Sequence, residues 1–304
     1  SPRHRVYRLH SRIMKTIAPR TRTIATVGTF DGVHRGHVYL LEQLQRKADR
    51  LGLSTWVMAL ERPAGARNTQ PSLTSTEERL ELLRPHADTV SLLELDSDDY
   101  SLTGTEFLAT LKERYGVEAF VMGFNNHIGR DHAGTADLAG ACMPVFEAQP
   151  LEGEVSSTAV RRAIAECRLS DAADMLGRPY SIHGTVGGGR QLGRTIGFPT
   201  ANIEIEGPQR MLPPTGVYAA SVRLDGDTNT HHAVVNIGYR PTVDAEHTRM
   251  SIEAHILDFN SDIYGRTLTV AFAAHLRSEQ RFGSLKELRA AIAADCGRAR
   301  EILS

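Results

Sequence analysis

The sequence predicts an α/β domain built on a doubly wound parallel sheet, followed by a smaller antiparallel β domain that ends in a helix. From Thr23 to about Gly177, short apolar runs alternate with helical patterns, which indicates right-handed crossovers between parallel strands. From Tyr180 onward, short strand patterns are separated by glycine and proline, which is typical of an antiparallel barrel or sandwich. The predicted division of the chain is a basic lead-in over 1–22, a first domain over 23–178 and a second domain over 179–304.

The elements of the first domain follow from apolar spacing and capping residues. The predicted helix His37–Leu51 carries its leucines on one side. The predicted helix Ser75–Leu83 opens with Ser-Thr-Glu-Glu, the signature of a capping box. Two more helices are predicted over Thr105–Tyr115 and Ser157–Glu166. The predicted strands are Thr23–Gly28, Ser54–Leu60, Thr89–Leu95, Ala119–Met122 and Pro144–Ala148.

The second domain is predicted from short apolar runs and turn residues. Its connections include Gly187-Gly188-Gly189, Pro213-Pro214 and Asp225-Gly226. One amphipathic helix, Ser284–Leu303, is predicted to close the chain. The predicted strands are Ser181–Val186, Tyr218–Leu224, His231–Ile237, Ser251–Leu257 and Thr267–Ala273.

Composition excludes several classes of protein. The chain has 304 residues, with 35 Lys and Arg against 36 Asp and Glu, and a net charge of −1. We therefore expect no nucleic-acid partner, although a local phosphate site remains compatible with this charge. No apolar run approaches the ~20 residues that span a bilayer, so no membrane partner is expected. The three cysteines form no CxxC pair, which favours a reducing, cytoplasmic location.

The first 22 residues contain no acid and seven basic residues. This composition resembles an organelle transit peptide, but serine is scarce and no apolar stretch follows. A solvated basic lead-in to the first strand is the favoured interpretation. The basic residues are Arg3, Arg5, Arg8, Arg12, Lys15, Arg20 and Arg22.

A first candidate phosphate site lies where the first predicted strand passes into the first helix. His34 and His37 flank the helix N-terminus, where free N–H groups and the helix dipole favour anions. Two imidazoles there suit hydrogen bonding to a phosphoryl group as its charge develops. A histidine pair at this spacing is often incidental, but the strand-to-helix position and the nearby glycines favour a site. The remaining candidates in this turn are Gly28, Phe30, Asp31 and Gly36.

The segment 155–162 predicts a second helix start beside it. Ser156 or Ser157 is the expected N-cap, and Arg161 follows one turn later. The plain alternative is an N-cap with surface arginines. Together with the histidine turn, this segment is interpreted as a clamp for the outer phosphates of a nucleotide.

The C-terminal half has its densest motif at 189–202. Its candidate residues are Gly189, Gly193, Arg194, Gly197, Thr200 and Asn202. The motif is one residue too short for a P-loop and lacks the lysine, yet its glycines suit backbone wrapping around phosphates. The oxygens of Thr200 and Asn202 suit Mg²⁺ and phosphate, whereas the alternative is a flexible loop entering a strand.

Glu253 is the other candidate of this half. Strand alternation places Ile252, Ala254 and Ile256 on one face, with Glu253 and His255 on the other. A strand glutamate commonly faces solvent. If it faces a cleft, it can accept the proton of a substrate hydroxyl during phosphoryl transfer.

These motifs carry a family resemblance. The HxGH turn followed by SSTxxxR resembles the nucleotidylyltransferase superfamily, and GTFDGVHRGH resembles its flavin-adenylating branch. The resemblance implies direct attack on the α-phosphate of ATP, with pyrophosphate leaving and no covalent intermediate. It also implies that His34, His37 and Arg161 handle ATP.

The second half resembles riboflavin kinase. The strings that carry this are GRxxGFPTAN, NIGYRPTV, IEAHILDFNSDIYGR and LRSEQRFGSLKEL, in that order. From Thr23 to its end, the chain resembles the bacterial bifunctional riboflavin kinase/FAD synthetase family. The resemblance implies a six-stranded barrel, Mg-ATP at Thr200 and Asn202, and Glu253 as catalytic base. The substrates implied are riboflavin, FMN and ATP, and the flavin-binding candidates are Asn125, Arg277 and Phe282.

Two alternatives stay open at this point. In the family, the second strand of the first domain usually ends in a segment whose histidine precedes a proline, whereas here no histidine precedes Pro63. This departure favours a monofunctional riboflavin kinase with a weakened adenylyltransferase domain. A flavin-nucleotide sensor without turnover is the second alternative, against which Glu253 and the PTAN string speak.

Overall fold

The computed structural model describes residues 6–10, 22–61, 70–94, 101–188, 197–205, 209–241 and 248–304. The chain divides into two compact units, Ser1–Ser157 and Thr158–Ser304. The domain boundary between 178 and 179 stays a prediction.

The first unit is built on a parallel sheet. Within the described residues it has six strands, in the order β1-β4-β3-β2-β5-β6, and every neighbouring pair is parallel. From β2 the chain adds strands first toward β3 and β4, and then on the other side toward β5 and β6. The junction of β2 and β5 is therefore a topological switch point, beyond whose carboxyl ends ligands bind in such sheets. The strands are β1 (Val6–His10), β2 (Thr23–Gly28), β3 (Ser54–Leu60), β4 (Thr89–Glu94), β5 (Val117–Gly123) and β6 (Val145–Ala148).

The helices of this unit cover both faces of the sheet, which confirms the doubly wound prediction. Buried leucines of α1 (Arg35–Leu51) and α2 (Thr76–Leu83) pack on one face. Buried leucines of α3 (Gly104–Tyr115) pack on the other face, against Trp56 and Phe120. The capping box predicted at Ser75 is present, with Glu78 as its second member.

The strand β1 corrects one expectation. The sequence predicts a solvated lead-in over 1–22, with Thr23–Gly28 as the first strand. Instead, Val6–His10 pairs with β4 and forms the edge of the sheet. An edge strand needs a partner on one side only, and edges tolerate basic residues, so composition alone hides such a strand.

The barrel of the second unit is closed and antiparallel. Within the described residues its strand order is β10-β11-β8-β7-β12-β9. The sequence missed β8, because a four-residue strand is too short to show alternation. The strands are β7 (Tyr180–Gly187), β8 (Ala201–Glu204), β9 (Gly216–Leu224), β10 (His231–Pro241), β11 (Thr248–Ile256) and β12 (Thr267–Arg277).

Helices precede and follow this barrel. α4 (Ser157–Ala165) and α5 (Leu169–Leu176) come before β7, and the sequence missed α5. α6 (Leu285–Leu303), predicted one residue longer, packs on β9, β10 and β12. The buried Cys296 on the apolar side of α6 belongs to one core cluster with Val217 of β9 and Val234 of β10. The helix thus covers this part of the outer face of the barrel.

Three negative findings apply to the described part of the chain. No helix there has the length and apolar character needed to cross a membrane. No group of three or more His, Cys, Asp or Glu side chains there is placed to hold a metal ion. The thiols of Cys142, Cys167 and Cys296 are not in disulfides.

Candidate functional site

The turn that follows β2 has an unusual backbone. Phe30 and Val33 have φ angles of 48° and 40°, and Gly32 between them has 83°. Residues other than glycine rarely adopt a positive φ, so surrounding contacts must hold this turn in place. Phe30 and Val33 are buried in the core, where apolar packing supplies part of that support.

Asp31 supplies the polar part of the support. Its Oδ1 accepts hydrogen bonds from the backbone N–H groups of Leu73 and Thr74, at 2.9 and 3.2 Å. The Thr74 hydroxyl accepts in turn from Gly32 N–H at 3.1 Å. Gly28 adds a packing constraint, because a Cβ there would lie 3.2 Å from the Phe30 ring. Gly28, Phe30 and Asp31 thus shape the turn, and their contact with a nucleotide stays a prediction.

His34 is the N-cap of α1. Its Nδ1 accepts a hydrogen bond from the backbone N–H of His37 at 3.3 Å, which explains why the helix begins two residues before its predicted start. The two rings are stacked, with centroids 3.6 Å apart. The sequence-predicted histidine pair is therefore brought together at the helix N-terminus, where the dipole favours an anion.

His37 is kept neutral by its surroundings. Burial lowers the pKa of its imidazole well below the usual value, and the neighbouring His34 lowers it further. Its Nδ1 is buried and has no hydrogen-bond partner among the described residues. A buried polar atom of this kind is available for a hydrogen bond to a ligand.

The depressed pKa of His37 predicts a pH-dependent stability. Above pH ~6.5 the imidazole is neutral in both the folded and the unfolded chain. As the pH falls below that value, only the unfolded chain takes up the proton, so the free energy of unfolding falls. We expect the variant His37→Gln to lose this part of the acid dependence, at up to about 1.4 kcal/mol per pH unit.

Trp56 provides the readout for this prediction. It is the only tryptophan of the chain and is buried in the same unit as His37. Denaturant titrations followed by its fluorescence at pH 7 and pH 5 measure the stability of that unit. Parallel pH dependences for the parent protein and the variant would contradict the depressed pKa.

The serine segment contacts the histidine turn. Ser157 is the first residue of α4, and its hydroxyl donates a hydrogen bond to the backbone oxygen of Asp31 at 2.8 Å. Ser156 directly precedes the helix, and Arg161 lies one turn along it and is half-buried. The predicted association of this helix start with the turn is thus present at Ser157. The phosphate contacts of Ser156 and Arg161 stay predictions.

The turn after β5 is hydrogen-bonded to β2, the other strand of the switch point. Asn126, which the sequence did not single out, donates its side-chain N–H to the backbone oxygen of Val27 in β2 at 3.0 Å. Asn125, the predicted flavin contact, is exposed. Adjacent asparagines cannot be told apart by pattern, because the turn geometry decides which side chain points inward.

The candidate kinase residues form a row on the barrel. Asn202 in β8 and Asn236 in β10 lie directly opposite Glu253 in β11. Because opposite residues of antiparallel strands share a face, the three side chains are neighbours. The Thr200 hydroxyl lies 3.5 Å from Glu253 Oε2. Asn236 was missed as a site residue, although strand register brings it beside the glutamate.

This row lies on the outer face of the barrel, and Glu253 and His255 share one face of β11, as alternation predicted. Ile252, Ala254 and Ile256 are buried in the interior, whereas Glu253 and His255 are half-buried on the opposite face. Carboxylate, amide and hydroxyl oxygens next to each other suit Mg²⁺ carried in with nucleotide phosphates.

The PTAN segment is held from the same face. The Nδ1 of His255 lies 2.8 Å from the backbone oxygen of Pro199, and its ring packs edge-on against Phe198 at 5.3 Å. Gly197 has a φ of 86°, which favours glycine there. The predicted residues Gly189, Gly193 and Arg194 lie outside the described residues, as do Arg62 and Pro63 of the first domain.

Arg277 is committed to the closing helix. Its guanidinium pairs with Asp295 of α6 at 2.9 Å, and Asp295 is 1% exposed. The guanidinium also lies over the ring of Phe282, 5.5 Å from its centroid. Arg277 and Phe282 are thus brought together, but their predicted contact with a flavin stays a prediction.

Comparison with known proteins extends over both halves. A family model described as FAD synthetase matches residues 16–155, and one described as riboflavin kinase matches residues 176–303. The bifunctional riboflavin kinase/FMN adenylyltransferase of Pseudomonas fluorescens is 39% identical over 299 residues, covering 92% of each chain. The protein of the same description from Escherichia coli K12 is 38% identical over 298 residues, covering 93% of this chain and 94% of its own.

A solved structure shows the same overall similarity. It is described as a macrolide-efflux protein from Streptococcus pneumoniae and has a TM-score of 0.86 at 28% identity. The match covers 97% of this chain and 98% of that chain. Its description concerns that protein alone, whereas both family models and the relatives with higher identity concern flavin enzymes.

Proposed function

Because the chain belongs to the family of bifunctional riboflavin kinase/FMN adenylyltransferases, we propose that it converts riboflavin to FMN and then FMN to FAD, using ATP in both steps. The observation that carries the proposal is the row of Asn202, Glu253 and Asn236, with the Thr200 hydroxyl beside it. This row combines a base with oxygen ligands, which is what phosphoryl transfer to a hydroxyl requires.

In the kinase step, Glu253 takes the proton from the 5′-hydroxyl of the ribityl chain. The resulting oxygen nucleophile attacks the γ-phosphorus of ATP, and ADP leaves. Thr200 and Asn202 bind the phosphates and would hold Mg²⁺, which supplies charge neutralisation when bound. His255 keeps the PTAN segment in place through the Pro199 backbone oxygen.

In the adenylylation step, a phosphate oxygen of FMN attacks the α-phosphorus of ATP, and pyrophosphate leaves. His34 and the neutral His37 donate hydrogen bonds to the phosphates from the N-terminus of α1. A neutral imidazole retains one N–H, so the low pKa of His37 is compatible with this task. Gly36, Ser156, Ser157 and Arg161 complete the proposed phosphate site.

The proposal also covers the setting of the reaction. The substrates are small molecules, with no nucleic-acid or membrane partner. A reducing cytoplasm suits the three thiols, since none is in a disulfide. The net charge of −1 agrees with phosphate sites that rest on helix N-termini and a few side chains.

Incubation with riboflavin, ATP and Mg²⁺, followed by chromatography of the flavins, tests the proposal. We expect both FMN and FAD to form. FMN without FAD would favour the monofunctional riboflavin kinase, which the missing histidine before Pro63 supports. Binding of flavin without either product would favour the sensor.

Gly36 gives a site-specific prediction. A Cβ at this position would lie 3.1 Å from His34 Nδ1 and 3.4 Å from the backbone oxygen of Val155. The His34 ring would have to shift in Gly36→Ala, so FAD formation from FMN is expected to fall at least about tenfold, since small misplacements are costly in catalysis. FMN formation from riboflavin is expected to stay unchanged.

Gly140→Ala is the matched control for this prediction. A Cβ there meets no atom within 4 Å. Initial rates of both reactions, measured for the two alanine variants, separate steric displacement of the imidazole from a general effect of an added methyl group in the same unit. Equal rates of FAD formation in both variants would contradict the assigned role of the turn.

A further inference from the structure

Arg79 is a buried cation that neither the sequence motifs nor the proposed chemistry uses. It lies in the second turn of α2 and is 6% exposed. Burial of a guanidinium is unfavourable unless its N–H groups are paired. The acceptors of its N–H groups therefore indicate which part of the structure the Arg79 guanidinium stabilises.

The Arg79 side chain joins the carboxyl ends of two neighbouring strands. Its Nη1 donates to the backbone oxygen of Thr29, just beyond β2, at 2.9 Å and to that of Leu60, at the end of β3, at 3.3 Å. Its Nη2 donates to Glu61 Oε2 at 2.8 Å. The planar fork of arginine suits several acceptors held at once, which an apolar side chain cannot replace.

Glu61 is itself held by hydrogen bonds to α2 and β4. Its Oε2 also accepts from the hydroxyl of Thr76 at 2.7 Å, and its backbone N–H donates to Leu93 at 2.9 Å. The pair therefore connects three elements, which are α2, β4 and the end of β3. A carboxylate that accepts two donors in one place orients the guanidinium toward the Thr29 backbone oxygen.

The residue after Thr29 begins the strained turn. Phe30 has a φ of 48°, and the histidine turn follows directly. Asp31 and Ser157 hold the middle of this turn, whereas Arg79 holds the point where it leaves β2. A strained turn keeps its shape only when several contacts determine it together.

We propose that Arg79, oriented by Glu61, is a positioning residue for FAD formation that fixes the start of the phosphate turn through the Thr29 backbone oxygen. The inference rests on the proposed adenylylation of FMN. It goes beyond the motif residues, because the proposed action of Arg79 is on the Thr29 backbone oxygen and not on His34 or His37.

The test measures both reactions in the intact 304-residue chain with Arg79→Lys. Lysine keeps the charge but lacks the fork that reaches two backbone oxygens and Glu61 together. We expect the KM for ATP in FAD formation to rise at least about tenfold. FMN formation from riboflavin should stay within about twofold. A purely structural residue would lower the melting temperature and leave the KM for ATP unchanged well below it.

A second variant keeps the test valid if the lysine protein folds poorly. Arg79→Met combined with Glu61→Leu replaces the ion pair by apolar side chains, an exchange that often preserves stability. Loss of FAD formation in a folded double variant is expected. The control is Arg22→Lys, since Arg22 forms an exposed pair with Glu118 in the same unit at 2.6 Å.

The outcomes separate the inference from the proposed function. A parent enzyme that makes no FAD from FMN would overturn both. A parent enzyme that makes FAD, with Arg79→Lys and the double variant matching it in KM for ATP, would overturn the inference alone. A change of similar size in Arg22→Lys would also contradict it.

Discussion

Glu253→Gln is expected to reduce FMN formation from riboflavin by about 10²- to 10⁴-fold, the range that a general base contributes. Glutamine keeps the size and hydrogen-bonding capacity of the side chain but cannot take up the proton of the 5′-hydroxyl. FAD formation from supplied FMN should be unaffected, because Glu253 belongs to the barrel and the histidine turn to the other unit. Initial rates of each reaction with its own flavin measure both effects.

Glu301→Gln is the control for this result. It makes the same chemical change on an exposed residue of α6. The control should retain both activities. Retention of FMN formation in Glu253→Gln, or an equal loss of both activities, would be incompatible with a barrel site that acts separately from the histidine turn.

His37→Asn is expected to lower FAD formation from FMN by about 10²- to 10³-fold, as removal of a preorganised donor to a developing charge does. The Nδ1 atom has no hydrogen-bond partner among the described residues, so the substitution breaks no hydrogen bond of that atom, while it removes the ring stacked on His34. FMN formation should continue at the parent rate. Rates with FMN and ATP, and with riboflavin and ATP, give the comparison.

His34 offers a contrast within the same turn. His34→Ala removes the N-cap of α1 as well as the imidazole, so it should also lower stability by about 1 kcal/mol. His37→Asn should not remove this cap. If His37→Asn leaves FAD formation unchanged while His34→Ala abolishes it, the second imidazole is structural and its assigned role is wrong.

The fold could be predicted wherever local pattern and burial agree. The capping box at Ser75 and the alternation around Glu253 are both present as predicted. β8 was missed because four residues carry no resolvable period, and β1 because it is a short, basic edge strand. The sixth barrel strand was expected only from the family resemblance.

The site could be predicted only in part, because register and burial join distant residues. The pattern singled out His34, His37 and Glu253 as candidates, since their spacing or strand position is visible in the chain. It missed Asn236, which reaches Glu253 through the pairing of β10 and β11. It also missed Arg79, because nothing in the sequence distinguishes a buried arginine from one on a helix surface.

Neither of the two proposed phosphate sites depends on a basic surface. The proposed histidine site relies on a helix N-terminus and the neutral imidazole of His37, and the proposed barrel site on oxygen ligands. Thus a chain of nearly balanced charge can carry two ATP-dependent reactions. The proposed role of Arg79 agrees with this, since its guanidinium binds the Thr29 backbone oxygen and is not one of the proposed phosphate ligands.

The most direct test of two distinct sites uses ATP labelled at either the α- or the γ-phosphorus, with riboflavin and the intact enzyme. The account predicts that FMN carries only the γ label. FAD should carry the γ label in its FMN half and the α label in its AMP half, with pyrophosphate released. Formation of FMN with no α label in any flavin, or of FAD lacking the γ label, would contradict the account.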